Sequence, residues 1–321
     1  VVTGAGGFIG SHLTERLLTD GHQVRALVRY TSTSSIGFLG PARDRFGDQL
    51  EIVAGTVADP GCTRSLVEGT DLVMHLAALI GIPYSYVGPH HYLQTNLTGT
   101  LNMLEAARAA SVSRFVHIST SETYGTAQFT PITETHPVHA QSPYAATKAG
   151  ADQLALSYQR SFGLPVVVVR PFNTFGPRQS ARAFIPTVVA QALKGDVVRL
   201  GSLTPRRDLN FVTDTVNGMV LAATTPGIEG REINVGSGVS HSIGEVAQAI
   251  IDRVNPVARI EFDAERERPE KSEVMDLLAD ISLAEDLLGY RPQVGFEEGL
   301  DRVIEYMRAL DELPDASRYV I

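Results

Sequence analysis

The chain has 321 residues, 43% of them apolar and 20% charged, and carries a net charge of −9. This is the composition of a globular enzyme built as one large domain or two intertwined ones. An acidic total without any basic block argues against a nucleic-acid partner, and no apolar run is long enough to span a membrane.

Cys62 is the only cysteine, so no intrachain disulfide can form. With no signal-peptide pattern, the expectation is a cytoplasmic protein. The first element is a short apolar strand, Val1 to Thr3, running into Gly4-Ala-Gly-Gly-Phe-Ile-Gly10. In this G-x-x-G-x-x-G spacing, glycine permits a tight turn and lets backbone N–H groups approach a pyrophosphate. The predicted helix that follows, Ser11 to about Asp20 with Gly21 as its stop, turns its positive end toward the phosphates. A glycine triplet alone also marks an ordinary sharp turn, so its meaning depends on what lies downstream.

Further apolar runs rich in β-branched residues follow at Gln23 to Val28, Leu50 to Ala54, Asp71 to Leu76, Arg114 to Ser119 and Pro165 to Arg170. Helical segments separate them. This alternation predicts an α/β fold, a Rossmann-type doubly wound parallel sheet covered on both faces, with its ligand at the strands' carboxyl ends. From Pro171 onward the rhythm changes. A turn-rich stretch to Arg178 precedes an amphipathic helix from Phe184 to Leu193, a strand from Leu209 to Val212 and a helix from about Thr213. A helix from Ile243 to Val254 and a charged loop from Glu261 to Glu273 complete the pattern. The predicted division is a dinucleotide-binding domain over 1–172, to which 206–236 returns, and a smaller interwoven substrate lobe from 173–205 and 237–321.

The chemistry centres on Tyr144 and Lys148 in Ser142-Pro-Tyr-Ala-Ala-Thr-Lys148. Residues four apart project from one helix face, and a lysine ammonium beside a phenol favours the ionised phenol. Such a tyrosine can take a proton from a substrate hydroxyl while a cofactor takes the hydride. Y-x-x-x-K alone occurs by chance in many surface helices; beside the glycine turn it carries weight. His136 and His139 have a spacing seen in metal sites, but no cysteine or carboxylate set completes one, so no metal is expected. His75 and His117 lie in apolar strands and read as packed histidines.

With these residues in view, the chain resembles the extended short-chain dehydrogenase/reductases of the nucleotide-sugar epimerase/dehydratase type. The resemblance spans nearly the whole length. It rests on Gly4 to Gly10, His75-Leu-Ala-Ala78, Asn96, Ser119-Thr-Ser-Glu122, Tyr144 with Lys148, Arg170-Pro-Phe-Asn173 and Arg207-Asp208. Other stretches, such as Ile82-Pro-Tyr-Ser-Tyr86 and Gly176-Pro-Arg-Gln-Ser-Ala-Arg182, are similar to sugar-nucleotide 4,6-dehydratases of the legionaminic acid type.

The resemblance implies a tightly held NAD or NADP contacted by Gly4, Gly7, Phe8, Ile9, Gly10, Arg29, Leu76, Ala77, Ala78, Asn96, Tyr144 and Lys148. It implies a nucleotide-diphosphate sugar as substrate, contacted by Thr120, Asn173, Arg178, Arg182, Arg207 and Arg268. Catalysis would fall to Thr120, Ser121, Glu122, Tyr144 and Lys148. Tyr144 would take the proton of the sugar C4 hydroxyl, Thr120 would hydrogen-bond the C4 oxygen, and Glu122 would remove the proton at C5. Glucose-type dehydratases carry an aspartate where this chain has Ser121, and serine is no strong acid near pH 7. Glu122 would therefore also have to protonate the departing C6 oxygen. The same Thr-Ser-Glu order resembles decarboxylases of UDP-glucuronate, and a C4 epimerase shares the first oxidation. A non-catalytic dinucleotide sensor on this fold would have lost parts of the Tyr/Lys/Glu set. Arg29 suits a 2′-phosphate and adenine stacking equally, so NAD and NADP both stand. Helices from about Tyr92 to Ala110 and Tyr144 to Ser161 resemble the pair through which relatives dimerise, and a homodimer is expected.

Overall fold

The structure is a computed structural model that describes residues 1–266 and 274–313. The apolar runs of the first half form β1 (Val2–Thr3), β2 (Val24–Arg29), β3 (Leu50–Gly55), β4 (Leu72–His75), β5 (Arg114–Ile118) and β6 (Val166–Pro171). The second half contributes β7 (Asn173–Phe175), β8 (Val197–Leu200), β9 (Arg206–Phe211), β10 (Glu232–Val235), β11 (Ser240–Ser242), β12 (Arg259–Phe262) and β13 (Asp276–Leu277). One all-parallel sheet runs in the order β3-β2-β1-β4-β5-β6-β10. Strand order reverses between β1 and β4, which opens a crevice at their carboxyl ends.

The β-branched strands are apolar on both sides because both faces are covered. In β6, Val167 and Val169 point into one buried cluster with the helices Phe8–Thr19 and Val212–Thr224. Val166 and Val168 point into the other, against Pro60–Val67, Gly99–Ala109 and Pro143–Phe162. The first cluster continues without a break into the helices Phe184–Lys194, Ile243–Val254 and Phe296–Arg308 of the smaller lobe. That lobe is thus anchored on the same core as the sheet.

The segment 206–236 divides between two sheets. Helix 212–224 and β10 belong to the large sheet's layer, but β9 pairs with β7, β11 and β13 in a separate sheet. Among the described residues, no helix is long and apolar enough to cross a membrane.

Candidate active site

Helix 8–19 starts at Phe8 rather than Ser11, and its N-terminal residue Gly7 places no side chain over the first-turn N–H groups. No acidic residue occupies that turn, so its partial positive charge faces the crevice unneutralised. Gly4 has φ +69°, and a β-carbon there would lie 3.1 Å from the Ala77 nitrogen. On Gly10 a β-carbon would lie 2.2 Å from the Gly4 carbonyl oxygen. Phe8 and Ile9 sit between them, half-buried in the first helical turn. Across the crevice, the Leu76 and Ala77 N–H groups each donate to Thr3 Oγ1 at 3.0 Å. Asn96 then holds Leu79 by both its N–H (2.8 Å) and its carbonyl (3.0 Å), pinning the run that includes Ala78. This cradle fits a pyrophosphate: bare N–H groups, a helix terminus and glycines where a side chain would fill the space.

Asn96 also donates to Thr147 at 3.1 Å, so its amide links the crevice to helix 143–162. It stands in a π-helical turn, Leu93–Thr98, inserted between Pro89–Tyr92 and Gly99–Ala109. The wider turn is a common device for aiming a side chain at a site.

Ser142 caps helix 143–162 by accepting the Ala145 N–H at 3.1 Å, Pro143 opens the first turn, and Gly163 closes the helix in the left-handed conformation. Tyr144, Lys148 and Asp152 therefore share one buried face at successive turns. The Tyr144 ring packs edge-on against Tyr92, with centroids 6.3 Å apart, and Thr120 is near enough to favour its ionised form. Thr120 follows β5 and caps the turn Ser121–Tyr124, where its Oγ1 accepts the Glu122 N–H at 3.3 Å. Ser121 is buried, whereas Glu122 is half-buried.

Burial pushes the Tyr144 phenol well above its ordinary value; the nearby Thr120 hydroxyl opposes this, and the charges of Glu122 and Asp152 add to it. Lys148 is lowered to about 8 by burial, with Asp152 acting the other way. Its ammonium donates to the Ile118 carbonyl at 2.6 Å. Burial thus dominates the phenol. The Lys148 ammonium is directed at a carbonyl.

The substrate-side residues are spread more widely. Asn173 lies at the start of β7, and its Oδ1 is buried without a protein hydrogen-bond partner, which suits a ligand contact. Arg182 is exposed but close enough to Tyr92 to favour that phenol's ionised form. Arg178 instead turns to helix 8–19, donating to Ser11 Oγ at 3.2 Å and pairing with Glu15 at 2.9 Å. Arg207 is buried and donates to the carbonyls of Arg206 (2.9 Å) and Val274 (2.6 Å). Arg268 lies outside the described residues. Arg29 is exposed and lines a cavity of ≈ 390 Å³ with Tyr30, Thr31, Ser35 and Arg43, and among the described residues no carboxylate lines it.

The sequence reading missed the buried polar network beneath Tyr144 and Lys148. Asp152 accepts hydrogen bonds from Ser119 Oγ at 2.7 Å and from Arg170 Nε and Nη2 at 3.2 and 3.0 Å. Arg170 also pairs with Glu232 and donates to the Tyr124 hydroxyl at 3.1 Å. His75 and His117 are buried as expected, His75 between Thr3 and Thr100 at 2.9 and 3.1 Å. A signal for Asp152 was present: it continues the four-residue spacing of Tyr144 and Lys148.

A family profile described as GDP-mannose 4,6 dehydratase matches residues 1–303. The chain is 33% identical to a dTDP-glucose 4,6-dehydratase of Actinoplanes sp. over 316 residues, covering 96% of this chain and 97% of the relative. It is also 33% identical to a UDP-glucose 4-epimerase of Mycolicibacterium smegmatis over 314 residues, covering 96% and 98%. The crystal structure of DesIV, a dTDP-glucose 4,6-dehydratase from Streptomyces venezuelae with NAD bound, superposes with a TM-score of 0.86 at 32% identity, covering 96% of each chain. With the crevice, the tyrosine–lysine pair and the matched length in agreement, the chain belongs to the GDP-mannose 4,6 dehydratase family of extended short-chain dehydrogenase/reductase enzymes.

Proposed function

We propose that this enzyme is a nucleotide-diphosphate-sugar 4,6-dehydratase that holds NAD or NADP in the crevice between β1 and β4 and releases a 4-keto-6-deoxy sugar nucleotide. The observation that carries the reading is Tyr144 and Lys148 on one buried helix face, with Thr120 and Glu122 on the turn after β5. Gly4, Gly7 and Gly10 would cradle the cofactor's pyrophosphate, with Phe8, Ile9, Leu76, Ala77 and Ala78 walling the crevice. The nicotinamide, when bound, supplies a hydride acceptor that is regenerated within each turnover.

Tyr144 is placed to take the proton of the C4 hydroxyl. Lys148 supplies positive charge on the same helix face, and the nearby Thr120 hydroxyl favours the ionised phenol. A ketone at C4 acidifies the proton at C5, and Glu122 is the carboxylate on the adjacent turn that can remove it. Ser121 offers no strong acid, so Glu122 returns that proton to the C6 oxygen as water leaves. Asn173 Oδ1 and Arg182 contact the sugar nucleotide, and Arg29 reaches the adenosine end of the cofactor.

A C4 epimerase is the second reading, favoured by the equal identity to the Mycolicibacterium smegmatis epimerase. The purified enzyme is incubated with UDP-, GDP-, CDP- and dTDP-hexoses and the products are weighed by mass spectrometry. Loss of one water from one of them supports the dehydratase. An unchanged mass with inverted C4 establishes the epimerase, and loss of carbon dioxide from a uronate establishes a decarboxylase.

We further read the protein as a homodimer formed through helices 89–109 and 143–162, where Leu93, Leu101 and Phe162 are exposed.

A further inference from the structure

The turn that carries Thr120, Ser121 and Glu122 runs between two buried side chains, Ser119 before it and Tyr124 at its end. Side chains alternate along a strand, so Ser119 leaves β5 on the same face as Phe115, toward helix 143–162. On β6 the same alternation sends Arg170 to that face, after Val166 and Val168. There Ser119 Oγ donates to Asp152 Oδ2 at 2.7 Å, and Arg170 Nε and Nη2 donate to the same oxygen at 3.2 and 3.0 Å. The other arm of the guanidinium, Nη1, donates to the Tyr124 hydroxyl at 3.1 Å, and its central carbon lies 4.9 Å from the Tyr124 ring centre. Both ends of the turn therefore meet at one planar cation that is only 1% exposed. A charge so deep persists only where it is paired, and Asp152 and Glu232 both pair with it.

We propose that Arg170 is a positioning residue that brackets the turn after β5 and so fixes where Thr120 and Glu122 stand. The bracket needs a guanidinium. Its fork directs donors to Asp152 and to Tyr124 from one rigid plane, which a lysine ammonium on a flexible stem cannot do. Within the turn the backbone hydrogen bonds are long: Thr123 N–H to the Thr120 carbonyl at 3.4 Å, and Gly125 N–H to the Glu122 carbonyl at 3.3 Å. The turn therefore takes its rigidity from its two ends. The Tyr124 hydroxyl passes the tie onward, donating to Asn234 Oδ1 of β10 at 2.8 Å. The meaning of the bracket for catalysis rests on the roles proposed for Thr120 and Glu122, whereas the bracket itself is a matter of structure.

Arg170→Lys keeps a cation between the two carboxylates and removes the fork. Amide hydrogen exchange, read by mass spectrometry without substrate, is expected to quicken by about tenfold or more in peptides covering 119–125. Peptides from helix 212–224 should exchange as in wild type. Unchanged exchange in the turn overturns the proposal, and so does an equal rise throughout the chain. If Arg170→Lys does not fold, Tyr124→Phe decides: it keeps the ring and loses the hydroxyl, and the same local rise is expected. With whichever sugar nucleotide reacts, kcat of the folded variant should fall by about tenfold with KM within about twofold, because the reacting groups are misplaced and not removed. A rise in KM with kcat unchanged overturns the proposal. Failure of every sugar nucleotide to react would touch the proposed function, and the exchange result would still decide the bracket.

Discussion

The guanidinium of Arg178 pairs with Glu15 at 2.9 Å and donates to Ser11 Oγ at 3.2 Å, although Arg178 itself stands at φ +69°. A non-glycine residue in that region is strained and persists only where its surroundings hold it. Ser11 and Glu15 lie on the helix that follows the glycine turn, so the pair ties the 176–183 loop to the cofactor crevice. A double-mutant cycle of Arg178→Ala with Glu15→Gln is expected to give a coupling of about 1 kcal/mol in urea unfolding, since both side chains are only partly exposed. Additive effects would mean that the pair is not a latch.

Tyr144→Phe removes the phenol hydroxyl and keeps the ring against Tyr92. The variant should fold with an unchanged melting temperature to within a few degrees. Its kcat should fall by roughly 10²–10⁴, the range for loss of a general acid–base group. Stopped-flow absorbance at 340 nm should show no reduced nicotinamide forming with substrate. Turnover near the wild-type rate would remove Tyr144 from the chemistry.

Glu122→Gln separates the first step from the second. The Gln backbone N–H still donates to Thr120, so the turn after β5 is kept. Oxidation at C4 should survive, seen as a transient rise at 340 nm. In deuterated water the recovered sugar should carry no deuterium at C5, and product should fall by roughly 10²–10⁴. Full C5 exchange in this variant would assign the base elsewhere.

The large sheet was legible because its strands are continuous apolar runs, and burial on both faces leaves such runs little alternative. Val166–Pro171 and its five predecessors fall within a few residues of their predicted positions. The Tyr144 and Lys148 face was legible for a similar reason: helical spacing is local. Partners drawn from distant segments were not. Nothing near Arg178 in sequence announces Glu15, and nothing near Arg207 announces the Val274 carbonyl. The π-helical turn at Asn96 also escaped, because one residue's extra width leaves the surrounding apolar pattern readable as a continuous helix. The sign of the Tyr144 shift depends on burial, which sequence spacing does not reveal.

The exposed Leu93 and Leu101 on the helical run 89–109 predict association. Multi-angle light scattering should give twice the 34.6 kDa chain mass. Leu101→Glu, which sets a charge in the middle of that surface, should shift the population toward monomer at micromolar concentration. A wild-type monomer would end the dimer reading.

Acid sensitivity should come from the buried histidines rather than from surface carboxylates. Burial draws His117 from 6.5 to about 4, with the Lys148 charge adding to the effect. Between those values the unfolded chain binds a proton that the folded protein does not, so unfolding becomes easier as pH falls. The stability lost is about 1.4 kcal/mol for each pH unit crossed by one such group, beginning near pH 6.5 and levelling off below about 4. His75, lowered in the same direction by burial, steepens the slope. Asp152 works in the same sense at still lower pH: its folded value is depressed, so its contribution is present above the ordinary carboxylate range and is lost on acidification. Urea unfolding at pH 7, 6 and 5 should therefore show a falling free energy, and His117→Asn should flatten that fall relative to wild type. An equal slope in the variant would mean that the ring is already protonated inside the folded protein, paired as an ion with Asp152.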